Sequence, residues 1–234
     1  MLWGMLLRLL PLITGLLPIV AIHLSLVIAI CSGSIPACIP YIEGCVSISA
    51  TGRYPPASFL FKAVMMAESV VMIAYWLFNV AWIRSLEKLS SMQKNGGTAI
   101  GILGTGGALF LMLYVTFLGT QEPFYEFMRR FGIYFYFALT IIAQILLAVK
   151  SKQMGKLLQI SSVIRIAKIQ LGLATVPFAL GVLNLTLKAT LADPDPAENV
   201  IEWIFALLMH AYFVLSYFSW RDSGFAVRYV IDSR

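Results

Sequence analysis

The feature that most constrains this chain is a series of six apolar runs, at about 5–31, 58–82, 98–119, 131–149, 169–190 and 199–220, joined by short polar segments. Each is close to the roughly 20 residues an α-helix needs to cross the hydrocarbon of a bilayer. Lipid offers no hydrogen-bond partner to a peptide group, so runs of this kind must satisfy their own backbone and form helices. The expected fold is an all-α, polytopic membrane bundle of six transmembrane helices, a single domain over 1–234 with an ordered outer loop at 32–57. Composition agrees: 60% of the 234 residues are hydrophobic and 12% charged, too much apolar surface for a water-solvated domain to hide. That length leaves no room for a separate soluble enzyme domain of the usual size.

The first run is longer than a signal-peptide core and lacks a small-x-small cleavage site before Cys31, so it reads as a span. The net charge of +6 sits at the ends of apolar runs, which fits topology signals and headgroup contacts and not nucleic acid. With the amino terminus inside, the inner set is Arg8, Arg84, Lys88, Lys94, Lys150, Lys152, Lys156, Arg165, Lys168, Arg221, Arg228 and Arg234. The outer set is Arg53, Lys62, Arg129, Arg130 and Lys188. Twelve of the seventeen basic residues thus place both termini in the cytoplasm, with the plasma membrane as the expected location. The basic segment Lys150–Lys168 could lie on the inner leaflet against anionic headgroups, or extend the fifth helix. Pro177 predicts a kink in that helix, not a break.

Gly96 to Gly107 is glycine-rich but opens a membrane helix with no strand before it. Gly97 and Gly101 form a small-xxx-small step, which predicts close helix packing and not a phosphate loop. The first outer loop holds Pro40, Tyr41, Ser47, Ser49, Gly52, Arg53, Pro55 and Pro56. Its prolines preset the backbone, and Gly52 is expected to take a left-handed turn, so the loop reads as a fixed cap. Cys38 and Cys45 could bridge in an oxidising compartment; three free thiols, with Cys31, are the alternative.

The Pro-Tyr-Ile at 40–42 and the Ser-Ile-Ser-x-x-Gly-x-x-Pro-Pro pattern at 47–56 resemble the Frag/DRAM/Sfk membrane family, whose domain also forms the amino-terminal part of the yeast cell-wall protein Cwh. The resemblance extends to Glu202-Trp203 at the start of the last helix and to Phe218–Asp222 at its end. Members often carry a His just before the Gly of the fourth helix, where this chain has Met128-Arg129-Arg130-Phe131-Gly132. The resemblance implies lipid handling: remodelling of GPI-anchor lipid, organisation of plasma-membrane phosphoinositides and other lipids, or a role at lysosomal membranes and in autophagy.

Ionisable groups inside a bilayer are costly and usually face protein or a watery cavity. The candidate polar site comprises His23, Glu68, Asn184, Glu202 and His210. Glu68, Met72, Tyr75 and Asn79 share one helix face by spacing, and Glu68 is expected to point inward and partner His23. Each His is either a hydrogen-bonded packing residue or a relay or headgroup contact. No metal or cofactor motif is present, and an acyl-transfer dyad would need Ser49 to meet a distant His. Asp193-Pro194-Asp195-Pro196 reads as a helix stop and start. The leading expectation is a protein that binds or organises membrane lipid without catalysis. A lipid-remodelling enzyme or enzyme subunit, of GPI-anchor or acyl-transfer type, is the alternative, and a transporter or channel modulator is the third reading.

Overall fold

The structure is a computed structural model describing residues 7–90 and 96–226; Lys94, Arg228 and Arg234 of the inner basic set lie outside these residues. In chain order its helices are α1 (Leu10–Cys31), α2 (Pro40–Glu43), α3 (Ile48–Thr51), α4 (Ala57–Leu89), α5 (Gly96–Thr116), α6 (Pro123–Leu157), α7 (Ser161–Thr190) and α8 (Asp195–Asp222). Six of these, all but the single-turn α2 and α3, are long and apolar enough to cross a membrane. Consecutive long helices pack side by side from α4 to α8, and α1 closes the ring by packing on both α8 and α4. On α1, Leu16, Val20, Leu24 and Val27 are about half exposed, forming the outward stripe that four-residue helical spacing dictates.

Helices outlast apolar runs. α4 continues to Leu89 and α6 runs from Pro123 to Leu157, because Lys, Glu, Arg and Gln are good helix formers once past the hydrocarbon. This changes the reading of Lys150–Lys168. It is neither a surface helix nor an extension of the fifth span alone: α6 carries it to Leu157, the chain reverses with Gln159 at φ 56°, and α7 starts at Ser161. Val163 and Ala167 are fully buried, and a side chain at Gly155 would meet Ile164 across the reversal. α7 continues through Pro177, and α8 starts just after Pro194 with Asp195 and Glu198 in its first turn, where the helix dipole favours acids.

The glycines of α5 set close helix approaches. Side chains at Gly97 and Gly101 would meet Val80 of α4, one at Gly104 would enter the Trp76 ring, and one at Gly107 would meet Thr140 of α6. Gly132 of α6 lies equally close to the backbone of Phe110 and Tyr114. At the centre Tyr75, Trp76, Phe213 and Trp220 are at most 1% exposed, with edge contacts such as Tyr75 on Phe213 at 5.0 Å between ring centroids. Such pairs are worth ~0.5–1.5 kcal/mol beyond their burial.

Candidate functional site: the capped loop end of the bundle

The loop between α1 and α4 is built, not draped. Pro40 opens α2 at a position whose missing N–H costs nothing, and the Glu43 carboxylate accepts the Ile39 N–H at 2.6 Å. Gly44 then ends the turn at φ 61°, pressed against the Pro196 backbone where a Cβ has no room. Ser47 caps α3, its Oγ accepting the Ala50 N–H at 3.2 Å, as N-cap serines do. Cys38 and Cys45 are joined in a disulfide, and Cys31 is a free, exposed thiol. The Pro55-Pro56 peptide is cis.

α8 fastens this loop to the bundle. Asn199 Nδ2 donates to the Gly44 carbonyl at 2.7 Å, and Trp203 Nε1 donates to the Val46 carbonyl at 2.9 Å. Glu202 stands beside Trp203 on α8, which packs on α3. The Glu-Trp pair of the last helix and the Ser-Ile-Ser stretch of the loop therefore meet in space. The Ser49 Oγ lies 3.1 Å from Ser47 Oγ.

Gly52 is small for another reason than expected. Its φ is −104°, which any residue adopts, and the left-handed turn does not occur there. A Cβ at Gly52 would instead enter the Phe61 ring.

The candidate polar residues do not form one site. His23 Nδ1 lies 2.7 Å from the Ile19 carbonyl and so donates to it, leaving Nε2 to accept the Tyr41 hydroxyl at 3.0 Å. Burial raises the Tyr41 phenol above its ordinary range, which keeps the donor protonated. Both nitrogens being taken, Glu68 is not the hydrogen-bond partner of His23. His23 instead joins Tyr41 and Trp203 in an aromatic cluster with centroids 5.2–5.9 Å apart. Nor does Ser49 pair with it.

Glu68 is 1% exposed and points into the bundle, as do Met72, Tyr75 and Asn79 below it. Its Oε2 has no hydrogen-bond partner among the described residues. The lower stripe is fully engaged: Tyr75 bonds Ser216 at 2.7 Å, Gln170 donates to Ser216 at 2.9 Å, and Trp220 donates to Asn79 at 3.2 Å. His210 donates from Nδ1 to the Ala206 carbonyl one turn back at 2.6 Å, a packing role. Asn184 sits apart on α7, its Oδ1 buried and unpartnered among the described residues. Among those residues no group of three His, Cys, Asp or Glu side chains could hold a metal.

A cleft of about 260 Å³ opens at this end, lined by Arg53, Tyr54, Gly119, Thr120, Gln121, Glu126 and Arg129. Three elements build it: the end of the loop, the α5–α6 turn and the first turns of α6. Gly119 holds them together, at φ 83° with its α-carbon against the Arg53 carbonyl. Arg129 and Arg130 both reach Glu126, at 3.3 and 2.6 Å. Sequence reasoning used Arg129 and Arg130 as a topology count and as the place where a family His is missing, and missed Gly119 altogether. The available signal was that arginines cluster on the side where basic residues are scarce.

Six apolar helices in a closed ring, carrying a pinned loop at one end, define a polytopic helical membrane protein. Residues 6–223 match the family described as Frag1/DRAM/Sfk1/Cwh43P N-terminal domain, nearly the whole chain, and the chain belongs to that family. No curated protein and no solved structure matches it.

Proposed function

We propose that the protein binds or organises membrane lipid without catalysis, holding a lipid of the loop-side leaflet where the first loop meets α5 and α6. The observation that carries this reading is the cleft itself: open, polar and lined in part by the exposed Tyr54. Tyr54 of the lining is 48% exposed, and Phe124, Tyr125 and Phe127 in the first turns of α6 are 40–61% exposed, side chains of the kind enriched at the level of lipid headgroups. The basic-residue count supports termini in the cytoplasm and the loop outside, and the plasma membrane is the membrane we assign. Lys152, Lys156, Arg165 and Lys168 then meet anionic headgroups of the inner leaflet.

Native mass spectrometry of the purified full chain tests the reading. Lipid should remain bound at one or a few copies through detergent exchange. Loss of all lipid on mild exchange would overturn lipid binding. Turnover of the retained lipid by the purified protein would replace the reading with that of a remodelling enzyme.

A further inference from the structure

We propose that the cleft is a site for an anionic phosphate, presented by a phospholipid headgroup of the loop-side leaflet, with Arg53 as its anchor and Arg129 as its second arm. The proposal rests on the lipid reading above and names the chemistry of its site.

Charge is the first argument. The cleft lining carries two guanidinium groups and one carboxylate, Glu126, and that carboxylate is held closest by a third arginine, Arg130. Glu202 of α8 forms no ion pair with Arg53 or Arg129 among the described residues. Arg53 makes no ion pair among the described residues. A half-buried guanidinium with five donors in a rigid fork calls for a planar-faced or tetrahedral oxyanion, and phosphate is the commonest that suits it.

Position is the second. Arg53 and Arg129 come from different elements, so an anion between them would lock the loop to α6. Gly119 brings the α5–α6 turn against the Arg53 backbone, which fixes where that guanidinium starts. On the lipid reading the cleft lies at headgroup depth, so a phosphate arriving there belongs to a lipid already in the leaflet. Size is the third: about 260 Å³ lies just below the range of small-ligand pockets, ~300–1,000 Å³. It admits a headgroup and leaves acyl chains outside, along the exposed Phe59, Phe124 and Phe127.

The test uses the full chain in detergent and three soluble probes: dihexanoyl phosphatidic acid, dihexanoylglycerol, which has the same chains and no phosphate, and inorganic phosphate. Phosphatidic acid should bind, and weaken with rising salt. Dihexanoylglycerol and inorganic phosphate should each bind at least tenfold more weakly. Arg53→Gln and, separately, Arg129→Gln should cost at least tenfold in phosphatidic acid affinity, with Arg53→Lys between, while Arg84→Gln at the far end of α4 changes nothing. Equal binding of dihexanoylglycerol, or unchanged affinity in both cleft variants, would overturn the phosphate site while leaving the lipid reading standing. Inorganic phosphate binding as tightly as the lipid would overturn the headgroup assignment. Failure of every lipid to bind would sink the lipid reading itself. Should Arg53→Gln elute as aggregate, Arg129→Gln decides.

Discussion

The two ends of this bundle solve the problem of buried charge in opposite ways. At the end away from the loop, Glu87 of α4 meets Lys150 of α6 at 2.6 Å, with side-chain exposures of 7% and 13%. Trp82 donates to Ser223 and Trp220 to Asn79 beside them, so the polar groups consume one another. At the loop end a cleft lined by Arg53 and Arg129 stays open, and Arg53 makes no ion pair among the described residues. Closed networks hold a structure together; groups left over are the ones able to hold something else. The difference suggests that rigidity is supplied from the far end while recognition is left to the loop.

Breaking the far end should give the largest effect. Glu87→Ala leaves Lys150 buried without its partner, and removal of one member of a buried pair typically costs ~3–5 kcal/mol. The apparent melting temperature in detergent should fall steeply, and expression with it. The double variant Glu87→Leu/Lys150→Met should recover most of that loss, because two apolar residues of similar size need no partner. A single variant as stable as the wild type would show that the pair is solvated, and the contrast between the ends would fail.

An intermediate effect is expected at the loop. Gly52→Val should cost ~1–3 kcal/mol by overpacking, since any Cβ there enters the Phe61 ring. Phe61→Ala in the same chain should bring relief as non-additivity: the double variant should lose less thermal stability in detergent than the two single variants' losses added together. If Gly52→Val is harmless, or if Phe61→Ala brings no relief, the loop is not seated on α4 as described.

These contrasts also show what a sequence of this kind makes legible. The spans are readable because lipid imposes one rule on all of them, and the inward face of Glu68, Met72, Tyr75 and Asn79 because helical period fixes who shares a face. Gly97 and Gly101 spoke through their spacing. The cleft was not readable: Arg53, Gly119 and Arg129 are far apart in sequence, and no period connects a loop end, a turn and a helix start. Gly52 marked the right place for the wrong cause, because a glycine reports that a side chain is not tolerated, and not whether torsion or a neighbour forbids it. His23 and Glu68 lay at similar depth in their spans, but depth alone does not say which neighbour a side chain turns to. His23 turned to the loop.

The smallest effect should come from that last contact, and it separates holding the loop from using it. Tyr41→Phe removes only the hydroxyl that donates to His23 Nε2 at 3.0 Å, leaving the ring against Trp203 at 5.2 Å. A net hydrogen bond is worth ~0.5–1.5 kcal/mol, so global melting should shift little. The effect should be local: faster hydrogen exchange at the amides of Tyr41 to Ala50, with exchange in α5 and α7 unchanged. The disulfide and the Asn199 and Trp203 bonds still hold the loop, so lipid retention should persist. Exchange rising across the whole bundle would make His23–Tyr41 a pillar of the fold. No change at all would leave the loop held by α8 alone, with the recognition end as rigid as the far one.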